Sequence, residues 1–121
     1  MNLGEIFETL MALPCDKVEL VTIKGTKSSI TGFDSVGSWR GSYDEPCIFR
    51  GGNYDKYLLL FHLRQLLTEK YTGWKGGTYW YTPESPLHIE DYAGSYSGNH
   101  SIQSVKHIED KDVIQIVTIL K

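Results

Sequence analysis

The segment from Val113 to Leu120 places the tightest constraint on how this chain can fold. Its alternation is that of a β-strand, with one face made of Val113, Gln115, Val117 and Ile119, and the other of Ile114, Ile116, Thr118 and Leu120. Both faces are largely apolar. A strand of this kind lies in the centre of a sheet covered on both sides, or has one face buried against another subunit. The sequence therefore predicts either a well-covered sheet or a homo-oligomer.

Two helices are predicted upstream of this strand. Asn2 can cap the first, and Glu5 stands three residues later, as a capping box requires, among apolar residues at helical spacing. The second helix begins after Asn53 or Asp55 and continues to Lys70. Its core face is predicted to carry the leucines at helical spacing, which are Leu59, Leu63, Leu66 and Leu67.

Strand patterns cover much of the remaining sequence. They are predicted at Val18 to Ile23, Ser29 to Phe33, Pro46 to Phe49, Thr78 to Tyr81, Leu87 to Tyr92 and Ile102 to Ile108. The last of these pairs with Val113–Leu120 through a turn at Glu109–Asp112. The predicted fold is a single α+β domain over residues 1–121, with an antiparallel sheet of five or six strands, two helices and a C-terminal β-hairpin.

Composition narrows the class of protein. Hydrophobic residues make up 40% of the chain and charged residues 22%, which is typical of a soluble globular protein. The net charge of −3 argues against a general nucleic-acid-binding protein, because such binding needs a surplus of Lys and Arg. The longest apolar run, Leu58 to Phe61, is too short to cross a membrane, and the first residues lack a signal-peptide pattern. We expect a cytoplasmic protein with no membrane partner.

Two short segments each bring an aromatic ring, a cation and glycine together. They are Ser38-Trp39-Arg40-Gly41-Ser42-Tyr43 and Gly73-Trp74-Lys75-Gly76-Gly77-Thr78-Tyr79. Aromatic rings stack on bases, Arg and Lys bind phosphates, and glycine lets backbone N–H groups approach a ligand closely. The pattern favours a flat, anionic, nucleotide-like ligand. The alternative is that the glycines mark turns and the Trp rings cover the hydrophobic core.

The predicted binding residues are aromatic, cationic, glycine or amide: Trp39, Arg40, Tyr43, Trp74, Lys75, Gly76, Gly77, Tyr79 and Asn99. In this interpretation the two Trp rings stack on bases and the two cations meet phosphates. The Tyr rings line the pocket, and the Asn side chain contacts a base edge or a ribose hydroxyl.

Signals for catalysis and for metal binding are weak. The histidines show no paired helical spacing and Cys15 and Cys47 have no neighbouring Cys, so we predict no metal site and no cofactor. Both cysteines are predicted to be buried, reduced thiols. His88 and His107 each precede a glutamate by two residues, which we interpret as solvated surface. With no phosphate loop or nucleophile elbow, we predict no catalytic residue and no enzyme.

The order of the motifs from Ser38 to Ile108 resembles small accessory proteins of phages and prophages. The shared features are Ser-Trp-Arg-Gly-x-Tyr, a Leu-rich helix, Gly-Trp-Lys-Gly-Gly-x-Tyr and a Gly/Ser-rich segment before the final hairpin. Such proteins are similar in general character to anti-defence sponges, which sequester cyclic nucleotides or cyclic ADP-ribose isomers. The resemblance implies a phage protein in the host cytoplasm that binds an immune signal without cleaving it.

Two other functions stay open from the sequence. In the first, the chain is an inhibitor that binds a host defence protein, and exposed Trp and Tyr rings anchor that interface. In the second, less favoured, it is a small phosphodiesterase or nuclease that uses His88 or His100 as an acid or base.

Overall fold

The structure, a computed structural model, describes residues 1–38, 46–72, 77–90 and 100–120. These residues form two helices, α1 (Leu3–Ala12) and α2 (Lys56–Thr68). Their strands are β1 (Val18–Lys24), β2 (Lys27–Thr31), β3 (Phe33–Ser38), β4 (Pro46–Arg50), β5 (Lys70–Thr72), β6 (Thr78–Trp80), β7 (His88–Glu90), β8 (His100–Ile108) and β9 (Val113–Leu120).

The main sheet is mixed and curled, with seven strands in the order β2-β1-β9-β8-β7-β4-β3. Strands β5 and β6 form a separate antiparallel pair. The α+β class, the two helices and the C-terminal hairpin β8–β9 are confirmed. The prediction of five or six purely antiparallel strands was wrong, because β1 pairs with β9 and β4 pairs with β7 in parallel. Parallel neighbours are joined by long crossovers, which leave no local signal in the sequence.

Strand β9 lies inside the sheet, between β1 and β8. Ile114, Ile116 and Thr118 face the core and are fully buried. The opposite face carries Val117, which is half-buried, and Ile119, which is 47% exposed. The prediction of a central strand is confirmed. Among the described residues one face is fully buried, whereas the other is buried at Val113 and open at Ile119.

The core is built where both helices meet the buried face of the sheet. A continuous cluster joins residues of α1 and α2 to residues of β1, β3, β4 and β7–β9, among them Ile6, Leu63, Leu20, Ile48 and Ile116. The leucines predicted on the core face of α2 are buried, except Leu67, which is partly buried. No helix among the described residues is long and apolar enough to cross a membrane.

Both helix starts follow from local capping. The Asn2 side chain accepts a bond from the Glu5 N–H at 2.8 Å, and the Glu5 carboxylate accepts one from the Asn2 N–H at 3.0 Å. This is the predicted capping box. The α2 helix is capped by Asp55, which accepts from the Leu58 N–H at 2.9 Å. It ends at Thr68, two residues before the predicted limit.

The two edge strands of the main sheet, β2 and β3, are consecutive in the chain and are separated only by Gly32. The sequence predicts a single strand from Ser29 to Phe33, but the chain instead changes partner at Gly32, leaving β1 and joining β4. The carbonyl of Gly32 accepts from the Gly51 N–H at 3.0 Å, and the carbonyl of Phe33 from the Tyr54 N–H at 2.9 Å. We call this contact between 31–34 and 51–54 the seam.

Candidate functional site

The structure leaves most of the predicted ligand-binding residues undescribed. Those outside the described ranges are Trp39, Arg40, Tyr43, Trp74, Lys75, Gly76 and Asn99. Gly77 is described and is exposed, and the backbone of Tyr79 lies in β6. The site therefore stays a prediction, and what the structure adds is the position of the strands from which these residues extend.

Both aromatic and basic segments are attached to antiparallel strand pairs. Residues 39–45 connect Ser38 to Pro46, which are partners in the β3–β4 ladder. Residues 73–77 connect Thr72 to Thr78, which are partners in the β5–β6 ladder. Each segment thus leaves and rejoins the fold at a single place, on backbone fixed by hydrogen bonds. Binding residues are often carried in this way, on connections that a rigid scaffold positions.

Residues 39–45 and residues 91–99, which include Asn99, join the parallel strands β4 and β7 at opposite ends. Strands β4 and β7 are parallel, with Cys47 beside His88 and Phe49 beside Glu90. Residues 39–45 precede the start of β4, whereas residues 91–99 follow the end of β7. The strand rise of about 3.3 Å per residue puts these attachment points about 10 Å apart. A ligand that touched both segments would have to span that distance unless one of them folds back.

A cleft of about 490 Å³ opens beside the seam. It is lined by the start of β1 with the residues before it, the end of β2, and the approach to α2: residues 16–19, 30–32 and 52–55. Its size suits a small molecule. The cleft is not predicted from the sequence, because three segments that are distant in the chain form it.

The cleft has an acidic lining. Asp16, Glu19 and Asp55 contribute carboxylates, and Lys17 contributes the only cation among its described lining residues. Glu19 accepts a bond from the Gln115 amide at 2.7 Å. Interaction with the Asp16 carboxylate raises the pKa of the Tyr57 phenol. A site of this charge suits hydroxyl or amino groups and disfavours phosphates.

The outer surface of α2 carries exposed apolar side chains. Tyr57 is 60% exposed, Leu58 is 42% exposed and Phe61 is 58% exposed. Tyr57 and Phe61 are one helical turn apart, so they lie on the same side of the helix. Exposed aromatic residues grouped in this way are typical of protein-binding surfaces.

The histidines differ in their access to solvent. Both ring nitrogens of His88 are shielded from it, which does not suit a residue that must exchange a proton with a substrate. His107 contradicts the interpretation as solvated surface: its side chain is 19% exposed, and Nε2 lies 3.0 Å from Oδ1 of Asp112. Its partner is Asp112, at the end of the β8–β9 turn, rather than Glu109 at the start of that turn.

A group of potential metal ligands surrounds this His–Asp pair. Cys15, His107 and Asp112 each offer one donor atom, and these three atoms lie within 4.8 Å of one another. Both cysteines are buried, reduced thiols, as predicted. Burial, and next the carboxylate of Asp112, raise the pKa of the Cys15 thiol. The thiol is therefore protonated near neutral pH unless a cation stabilises the thiolate.

No family model, curated protein or solved structure matches this chain.

Proposed function

We propose that this chain is a phage-type anti-defence protein that binds a nucleotide-derived immune signal and sequesters it without cleaving it. The signal would be a cyclic nucleotide or a cyclic ADP-ribose isomer, held in the host cytoplasm. The proposal is supported above all by the attachment of both aromatic and basic segments to paired residues, Ser38 with Pro46 and Thr72 with Thr78.

Each segment combines the two interactions that a nucleotide offers. Stacking of a base on Trp39 or Trp74 contributes about 1–3 kcal/mol. A hydrogen bond from Arg40 or Lys75 to a phosphate contributes about 1.5–3 kcal/mol. Two such pairs are enough for tight binding after the cost of ordering the segments is subtracted. Sequestration needs no further chemistry.

The charge of the acidic cleft determines which groups of the ligand it can bind. Because Asp16, Glu19 and Asp55 outnumber Lys17 there, phosphates are better bound by Arg40 and Lys75 than by the cleft. Where one ligand reaches both places, the cleft would hold its ribose hydroxyls or an exocyclic amino group.

The test is calorimetry with a panel of cyclic dinucleotides, cyclic oligonucleotides and cyclic ADP-ribose isomers. We expect one class to bind and to be recovered intact after heat denaturation of the protein. Arg40→Ala and Trp74→Ala should each weaken binding at least about tenfold, since each removes a contact of 1.4 kcal/mol or more. Arg64→Ala and Trp80→Ala are the matched controls, because both side chains are exposed elsewhere, on α2 and at the far end of the β5–β6 ladder.

Equal affinity of Arg40→Ala, Trp74→Ala and the unmodified protein would contradict the proposal. So would recovery of a cleaved product, which would favour the phosphodiesterase or nuclease instead.

A protein-binding inhibitor is the second candidate, favoured by the exposed group Tyr57, Leu58 and Phe61 on α2. It predicts that a host defence protein co-purifies with the chain and is lost from the double variant Tyr57→Ala, Phe61→Ala. Under the sequestration proposal, that variant keeps its ligand affinity.

A further inference from the structure

The Cys15, His107 and Asp112 side chains come from three separate parts of the fold. Cys15 lies between α1 and β1, His107 is near the end of β8, and Asp112 closes the turn before β9. The turn is fixed by a 3.2 Å bond from the Asp112 N–H to the Glu109 carbonyl, with Asp112 at a φ of 49°. The packing of β9 between β1 and β8 brings the three together.

Their donor atoms are a sulfur, an imidazole nitrogen and a carboxylate oxygen. We propose that these three residues form a binding site for a divalent transition-metal ion of the zinc class. This set of donors is the one that zinc accepts, and three protein ligands leave a fourth position for water or another ligand. The inference does not depend on the proposed function.

The spacing of the donors is close to what such an ion needs. Zinc bond lengths of about 2.0–2.3 Å put tetrahedral donors about 3.3–3.6 Å apart. The His107–Asp112 pair is already at 3.0 Å, and all three donors lie within 4.8 Å. The Asp112 side chain is 77% exposed, so its carboxylate can rotate about its bonds to close the remaining gap.

The charges around the sulfur favour a dication. Asp112 and Asp16 both act on Cys15 as negative charges, opposed by one cation, Lys56. A divalent ion would balance the charge of these two carboxylates.

The experiment is a titration of chelator-treated protein with Co²⁺, followed by displacement with Zn²⁺. We expect thiolate-to-cobalt charge-transfer absorption together with the visible bands of four-coordinate cobalt, both removed by zinc. Cys15→Ser should abolish the charge-transfer band, whereas Cys47→Ser, which removes the other buried thiol, should keep it.

Asp112→Asn supplies a test that does not depend on the folding of a core variant. The side chain is exposed, and Asn tolerates a positive φ. We expect it to weaken cobalt binding at least about tenfold, as removal of a charged ligand should. The proposal is overturned by the absence of a charge-transfer band in the unmodified protein, by its persistence in Cys15→Ser, or by unchanged affinity in Asp112→Asn. Absence of the band, or unchanged affinity in Asp112→Asn, would mean that His107 and Asp112 only stabilise the turn. Persistence of the band in Cys15→Ser would mean that cobalt binds at another thiol.

Discussion

Gly32 is the residue on which the seam depends. A Cβ at this position would overlap the carbonyl oxygen of Gly52, and a Cβ on Gly52 would overlap the backbone of Phe33 and Asp34. The two backbones approach too closely for any side chain between them. The need for glycine here comes from this close approach, since Gly32 is not among the glycines with positive φ.

We therefore expect Gly32→Ala to lower the free energy of unfolding by about 1–3 kcal/mol or more, the usual cost of overpacking. Urea unfolding followed by circular dichroism measures it. Gly77→Ala is the control, because a Cβ there meets no atom within 4 Å, and we expect a change within about 0.5 kcal/mol. Equal stability of the two variants would show that the seam can open without cost.

At the scale of elements, α1 and α2 are connected by a buried lysine. Lys56 is the first residue of α2, and its side chain is 6% exposed. Its Nζ donates a hydrogen bond of 2.8 Å to the carbonyl of Leu13, at the end of α1. The ammonium also lies 5.3 Å from the centre of the Tyr57 ring. A cation at the C-terminal end of α1 is favourable for the helix dipole as well as for the unpaired carbonyl.

Lys56→Met keeps the apolar stem and removes the charge. We expect a loss of about 1–3 kcal/mol of unfolding free energy, because the Leu13 carbonyl loses a charged donor in a buried place. Lys106→Met, at an exposed position of β8, is the matched control and should change stability by less than about 0.5 kcal/mol. A stability gain in Lys56→Met would mean that the cost of burying the ammonium exceeds the value of its bond.

The elements differ in how far the sequence predicts them. The capping box of Asn2 and Glu5 and the leucine spacing of α2 are local, and both were predicted correctly. The partner change at Gly32 was missed, because Ser29 to Phe33 has the pattern of one strand, whereas Thr31 pairs with β1 and Phe33 pairs with β4. The partner change depends on the close approach of Gly32 to Gly52, which is distant in the sequence. The only local sign of it is therefore a glycine.

The same distinction applies to the sites. Trp39 with Arg40 and Trp74 with Lys75 are neighbours in the chain, so their chemistry is visible in the sequence. The cleft beside the seam and the ligand group around Cys15 are not, because each is assembled from three segments that only the fold brings together.

On the scale of the whole molecule, the outer face of the sheet carries exposed aliphatic side chains. Aliphatic side chains line up across β2, β1 and β9: Ile30 pairs with Val21, Val21 with Val117, and Ile23 with Ile119. We call these five residues the aliphatic face. Ile30 is 54% exposed and Ile119 is 47% exposed. A second copy would meet the same uncharged face across a two-fold axis, so we expect self-association there.

Light scattering at micromolar concentration should accordingly give twice the 13.8 kDa of one chain. The double variant Ile30→Lys, Ile119→Lys should be monomeric, because it places charges at the centre of the interface. Met11→Lys changes an equally exposed apolar residue on α1 and should leave the dimer intact. A monomeric mass for the unmodified protein would contradict this expectation.

The parallel pairing of β1 with β9 also determines when the fold can be completed. Glu19 and Gln115, which are bonded across this pair, are 96 residues apart in sequence. During synthesis, β1 and β2 leave the ribosome long before β9, the strand that joins them to β8 and the rest of the sheet. Closing so long a loop is slow, and contacts of this range are typical of slow-folding proteins. Until β9 emerges, the edge of β1 with which β9 pairs is open to other chains, so the growing chain is most prone to aggregate in that interval.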